Sequence, residues 1–280
     1  MSNCGVIMLN TIRRIYAKGL NKSKLLKLRL SYDYNEILEA QDKLYSELGF
    51  DRSASLLLLD GIYNSHPKVQ VLVSEHHALF GALSLKGDVM SVLEIGTYAA
   101  SCTKLLSILF PGAQITTIDL PDDDPIFSQT YDRDDSEGRT LFINDRNQVI
   151  QTCENVTFVQ QNSLQLLHKK DEKFDLIWVD GAHGYPVVAM DIVNSLACLS
   201  REGFMFIDDV WIDRSKNDPN YRSIGAYESI LALKNAGLIE FDLVPKRIEF
   251  PHGKGHMKKY IARVNHSDAV KVNVKATVKV

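Results

Sequence analysis

The chain has 280 residues, 45 % of them hydrophobic, and a net charge of −3, so it can bury a substantial core and its charge argues against general nucleic-acid binding. Its four cysteines, Cys4, Cys102, Cys153 and Cys198, form neither a C-x-x-C pair nor a zinc-like grouping, which fits reduced thiols in a cytoplasmic protein. No apolar run approaches the ~18 residues of a membrane span, and Arg13 and Arg14 interrupt the stretch where a signal peptide needs its apolar core.

Along the chain, Arg13, Arg14, Lys18, Lys22, Lys24, Lys27 and Arg29 all precede the first acid, Asp33, and alternate with Leu9, Ile12, Ile15, Leu20, Leu25 and Leu28. A basic amphipathic segment of this kind suits peripheral contact with an anionic membrane or an acidic partner. Its plainer reading is a helix packing its apolar side on its own domain or on a second subunit, as in a homodimer. Apolar spacing predicts helices over 34–48, 53–63 and 67–85, the last with Pro67 at its start. Residues 1–87 therefore read as a helical N-terminal extension that caps the domain beginning at residue 88.

From 88 to 266 strands and helices alternate, which predicts a doubly wound, mostly parallel α/β sheet covered on both faces. Strands are expected at 91–95, 114–120, 156–160, 174–179 and 204–207, with helices from Ser101 to the Pro111-Gly112 break, over 187–199 and over 225–236. Gly237 suits the position just past the end of that last helix. Two long polar stretches, 121–147 and 211–223, are expected to roof a pocket and offer Tyr131, Arg133, Trp211, Arg214, Tyr221 and Arg222. Strands at 239–244 and 259–264 flank a turn carrying His252 and His256, which read as surface residues. The tail, 267–280, alternates Val or Ala with polar residues, as an edge strand or a frayed end would.

Chemistry concentrates at 92–103, VLEIGTYAASCT, where an apolar strand ends near an acid (Glu94), turns at Gly96 and enters a helix. A strand, glycine turn and helix N-terminus can hold a nucleotide-like ligand at the carboxyl edge of an open sheet. The later glycines of G-x-G-x-x-G are missing, which counts against a dinucleotide enzyme. Asp119, about two dozen residues on, ends the next strand and can accept both hydroxyls of a ribose. Further on, VDGAHGY places Asp180 at a strand end with His183 three residues later, and IDDVW places Asp208 and Asp209 beside it. Three adjacent carboxylates repel unless a cation lies among them, and oxygen-only ligands favour Mg²⁺ or Mn²⁺. A histidine whose pKa is near neutrality can take a proton from a hydroxyl.

In their order and spacing these motifs resemble, over 92–263, the class I S-adenosylmethionine-dependent methyltransferases, in particular the metal-dependent O-methyltransferases of the catechol and macrocin type. The resemblance implies a Rossmann-like sheet with an antiparallel C-terminal strand. It implies a cofactor site of Glu94, Gly96, Tyr98, Asp119 and Asn162, with Glu94 near the methionine end and Asn162 near the adenine. It also implies a divalent ion on Asp180, Asp208 and Asp209, with His183 as general base. The activity it implies is methyl transfer to a hydroxyl of a small molecule, sugar-containing or phenolic. Two positions depart from the family's E-I-G-x-Y-x-G-x-S: Ala100 stands for the second glycine and Cys102 for the serine. Ala100 is tolerable there only if its backbone has a negative φ and the ligand leaves room for a methyl. The alternatives are a metal-independent methyltransferase, a non-catalytic binder of the cofactor, or an NAD-dependent dehydrogenase.

Overall fold

Alternating apolar residues along each strand leave two opposite faces that must both be covered, and the sheet is built accordingly. In the computed structural model, which describes residues 34–66, 69, 74–130, 134–169, 171–214, 223–247 and 259–268, seven strands take the order β3-β2-β1-β4-β5-β7-β6. They are β1 (Ser91–Ile95), β2 (Gln114–Asp119), β3 (Val156–Gln160), β4 (Phe174–Val179), β5 (Leu199–Trp211), β6 (Ile239–Pro245) and β7 (Lys259–His266). The first five pair in parallel, and β7 lies antiparallel between β5 and β6. This is the doubly wound sheet with a terminal hairpin expected above. The reversal of strand order between β1 and β4 opens the crevice in which such sheets bind ligands.

One face packs Val92, Ile115, Leu176, Trp178 and Phe206 against α1 (Tyr34–Glu47), α2 (Arg52–Ser65), α3 (Glu75–Ser84) and α4 (Ser101–Leu109). The other packs Leu93, Ile95, Ile177, Val179, Met205 and Ile207 against α7 (Val187–Cys198) and α8 (Gly225–Asn235). The N-terminal helices thus share one core with the sheet. A buried ion pair fastens them together: Arg52 donates from Nε and Nη2 to the two oxygens of Glu75, each at 2.8 Å, and the Tyr45 hydroxyl donates to the same carboxylate at 3.1 Å. Helix α3 begins at Glu75; Pro67, expected to start it, lies outside the described residues.

The first polar stretch is mostly helix. Asp124 caps α5 (Pro125–Gln129) by accepting from the Ile126 amide at 2.7 Å, with Pro125 in the first turn. Asp135 caps α6 (Ser136–Gln151) by accepting from the Gly138 amide at 2.6 Å. Two aspartates of this polar stretch, Asp124 and Asp135, are thus helix starts. A 3₁₀ helix, Ser163–Lys169, follows β3.

Strand β5 departs most from expectation. It runs from Leu199 through the Asp208-Asp209 pair to Trp211 instead of ending before it. Ile207 pairs with Ala262 and Val210 with Tyr260, so two β5 residues face the single residue Ile261 of β7. That is a β-bulge, and Asp209 takes the positive φ of 52° it requires. Trp211 is a core residue, 1 % exposed, with its indole N–H donating to the Asp213 carbonyl at 2.8 Å, and it does not roof a pocket. Arg214 pairs with Glu228 at 3.3 Å. Tyr131, Arg133, Tyr221, Arg222, His252, His256, the basic segment before Tyr34 and the tail beyond Asp268 lie outside the described residues. No helix among the described residues is long and apolar enough to cross a membrane.

Candidate active site

Glu94 is fully buried one residue before the end of β1. Its Oε2 accepts from the hydroxyls of Thr103, at 2.5 Å, and Thr117, at 2.6 Å. Burial pushes its pKa up to about 7, against the lowering effect of the hydrogen bonds from Thr103 and Thr117. The other oxygen, Oε1, is buried and meets no N–H or O–H donor; the Cys102 thiol donates to the same carboxylate. Burial, and after it Glu94, drives that thiol well above its usual pKa, so Cys102 stays protonated.

The turn after β1 is shaped by three positive-φ residues, Gly96 (100°), Tyr98 (47°) and Ala100 (59°). At Gly96 the close neighbour is protein: an added Cβ would lie 2.3 Å from the Asp180 carbonyl oxygen. The glycine therefore lets the β1 and β4 exits touch. Ala100 overturns the expectation of negative φ. Its amide donates to Thr97 O at 2.8 Å, and the Tyr98 amide donates to Asp119 Oδ2 at 2.8 Å; together these hold the turn in which Ala100 is left-handed, with a φ of 59°. A left-handed non-glycine costs about 1–2 kcal/mol. Ala100→Gly should raise the urea midpoint by the equivalent of about 1 kcal/mol. A lowered midpoint would mean that packing of the buried methyl outweighs the backbone cost.

Asp119 ends β2, half-buried, with Oδ1 accepting from the Leu120 amide and Oδ2 from Tyr98, both at 2.8 Å. Each carboxylate oxygen has about two acceptor sites, so each keeps capacity for a ligand hydroxyl. Tyr98 is exposed and leans on Phe142, ring centroids 5.2 Å apart, which in turn meets Phe127 at 6.2 Å; this aromatic row joins α5 and α6 to the turn. The buried Arg146 locks the same pair of helices with a fork onto Asp122, at 2.8 and 3.0 Å. Asn162 uses its Oδ1 to cap the 3₁₀ helix through the Leu164 amide at 3.0 Å.

The second cluster lies at the ends of β4 and β5. His183 Nε2 is 3.9 Å from Asp180 Oδ1 and 3.9 Å from Asp209 Oδ2, so the structure does bring these predicted residues together. Two further residues, not foreseen, enter with them. Lys246, just past β6, donates to Asp208 Oδ2 and, at 2.6 Å, to Asp209 Oδ1. Lys259, the first residue of β7, donates to Asp209 Oδ2. Burial opposes the charge on Lys246, but Asp208, Asp209 and Asp180 outweigh it and raise its pKa, so it stays an ammonium. Burial also opposes ionisation of Asp209, where Lys246, His183 and Lys259 prevail and hold its pKa below the usual carboxylate range. For Asp180, burial and the adjacent Asp208 act together and push it well above that range. His183 is lowered by burial, with Lys246 and Lys259 acting the same way and Asp209 and Asp208 opposing.

A divalent ion does not fit this donor set. Both oxygens of Asp209 and one of Asp208 already accept from lysines, so an ion could take those oxygens only by displacing the ammoniums that hold them. Among the described residues, no three acid, His or Cys side chains converge as an ion site.

The stretch carrying Lys246 is held by the helical layer. The Glu75 amide donates to the Lys246 carbonyl at 2.9 Å, and Gln41 Nε2 donates to the Pro245 carbonyl at 3.3 Å. His76, which follows Glu75, stacks on Trp178 at 5.1 Å. Burial, then Lys246 and Arg247, depress its pKa to about 3, so it stays neutral.

Residues 93–210 match a family model described as a methyltransferase domain. No curated protein matches the chain by sequence. Among solved structures, a Klebsiella pneumoniae protein assigned as an O-methyltransferase is similar, with a TM-score of 0.51 and 15 % identity over 82 % of this chain and 96 % of that one. An O-methyltransferase from Bacillus cereus in complex with SAH is similar too, with a TM-score of 0.50 and 16 % identity over 81 % and 97 % of the two chains. At these identities the likeness to solved structures establishes the fold alone. Residues 93–210 thus match a methyltransferase domain, and the doubly wound sheet that carries them is the fold these O-methyltransferase structures share.

Proposed function

We propose that this protein transfers the methyl of S-adenosylmethionine to a hydroxyl of a small molecule. The observation that carries this reading is Oε1 of Glu94, a buried acceptor with no N–H or O–H partner beside the turn into α4, which suits the cofactor's ammonium. Asp119 would take the ribose hydroxyls with its remaining acceptor capacity, Tyr98 would lie along the ribose, and Asn162, through its amide N–H₂, would face the adenine. Bound there, S-adenosylmethionine supplies a methyl made electrophilic by a sulfonium. Residues of this chain do the rest: the turn at 96–100 positions, and His183, neutral at physiological pH, accepts the acceptor hydroxyl's proton. Sugar-containing or phenolic alcohols are the acceptor classes proposed, the sugar by analogy with the macrocin type.

The test is titration calorimetry with S-adenosylhomocysteine and with NAD. Homocysteine-nucleoside binding that weakens at least ~10-fold in Asp119→Ala, about 1.4 kcal/mol, supports the reading. Binding of NAD in its place would overturn it and make the chain a dehydrogenase. Transfer of labelled methyl to an acceptor panel then separates an enzyme from a silent binder.

A further inference from the structure

The acidic cluster raises a question of charge. Asp180, Asp208 and Asp209 meet at two adjacent strand exits, in surroundings where unbalanced carboxylates repel strongly. Their counter-charge is already built into the fold. The terminal hairpin inserts β7 beside β5, which puts Lys259 opposite Trp211, two residues past Asp209. The same hairpin pairs Pro245 with Tyr260, which brings the next residue, Lys246, to the bulge from the far side. Their side chains are 7 % and 12 % exposed, too enclosed for surface lysines that happen to lie near acids. The bulge turns both carboxylates of the pair toward them.

We propose that the ammonium of Lys246, seconded by Lys259, is the resident cation of the Asp180–Asp208–Asp209 cluster, so that methyl transfer at this site runs without a divalent ion. Lys246 reaches both members of the aspartate pair and Lys259 the remaining oxygen of Asp209, so the two side chains occupy the place a cation would take. Oxygen attack on a methyl sulfonium needs a free electron pair on the acceptor oxygen and somewhere for its proton to go. The oxygen–methyl bond forms, the sulfur–methyl bond breaks with its electron pair returning to sulfur, and His183 takes the proton. No other reactant is required. Lys246 is a positioning residue in this scheme: it ties Asp208 to Asp209 at the bulge and, with Lys259, holds the Asp209 carboxylate beside His183. The inference rests on the methyltransferase reading above.

The experiment is Mn²⁺ titration followed by spin resonance, with and without S-adenosylhomocysteine, on the wild-type chain, Lys246→Met and Lys246→Gln. Circular dichroism confirms the fold of each variant, and the glutamine retains a donor if the methionine variant does not fold. The expected result is negligible wild-type binding at millimolar Mn²⁺, at least ~10-fold tighter binding in a folded Lys246 variant, and wild-type methyl transfer unchanged by a chelator. Tight wild-type binding that disappears in Asp208→Asn overturns the proposal. Equally weak binding in wild type and variants also overturns it, since Lys246 would then not be what keeps the ion out. Calorimetry with S-adenosylhomocysteine on the same samples distinguishes the two failures: a protein that binds it and takes up Mn²⁺ defeats only this inference, whereas one that binds none defeats the proposed function.

Discussion

Gly96→Ala should cost on the order of 3 kcal/mol or more of stability and weaken S-adenosylhomocysteine binding at least ~10-fold. Two penalties coincide at this residue. Its φ of 100° is one that a side chain rarely adopts, and the added methyl would sit 2.3 Å from the Asp180 carbonyl oxygen and 2.7 Å from its carbon. Neither side can give way. The Asp180 amide donates to Ile95 O at 2.9 Å and the Gly96 amide to Ile118 O at 2.8 Å, so both strand exits are pinned by the sheet itself. Relief would have to move either the turn that carries Tyr98 and Ala100 or the one that carries Asp180 and His183. A single methyl therefore disturbs both halves of the site. Urea unfolding and calorimetry provide the check, and a variant with the wild-type midpoint and affinity would show that the two exits are not in contact.

Replacing His183 with Ala should lower turnover by about 10²–10⁴-fold while leaving cofactor affinity unchanged, as loss of a general base does. Its acid limb offers a second readout. A base works when deprotonated, so activity rises with pH through the folded pKa and is flat above it. Burial and the lysines Lys246 and Lys259 lower that pKa against Asp209 and Asp208, so the wild-type plateau should extend below the ordinary imidazole range. The alanine variant should lose this limb. Labelled-methyl transfer measured across pH checks both points, and a near wild-type rate in the variant would remove the histidine from the chemistry.

Much of this fold was legible because short apolar strands sat between strong punctuation: Gly96 after β1, Pro111-Gly112 before β2, Gly237 before β6. Glu94, Asp119, Asp180 and His183 could be found for the same reason, each lying at or near the carboxyl end of a recognisable strand. What escaped was anything decided by strand pairing. Two consecutive aspartates look like the end of a strand, yet β5 continues because β7 pairs along it and a bulge absorbs the extra residue. Lys246 follows one ordinary strand and Lys259 opens another, and only the order β5-β7-β6 brings them to the acids. The left-handed Ala100 escaped as well, because the turn is dictated by the Thr97 carbonyl and the Asp119 carboxylate and not by local preference.

The hydrogen bonds from Gln41 and Glu75 to the Pro245-Lys246 carbonyls bear on how small an active piece of this chain can be. The span 93–210 retains Glu94, Asp119, Asp180, His183 and both residues of the aspartate pair. Excised, it would leave behind both lysines and the helices that hold one of them in place. Its three acids would then face one another with nothing to offset their charge. Catalytic competence here belongs to the ensemble of N-terminal helices, sheet and terminal hairpin, and trimming to the recognisable motif would remove the part that makes the motif's acids tolerable.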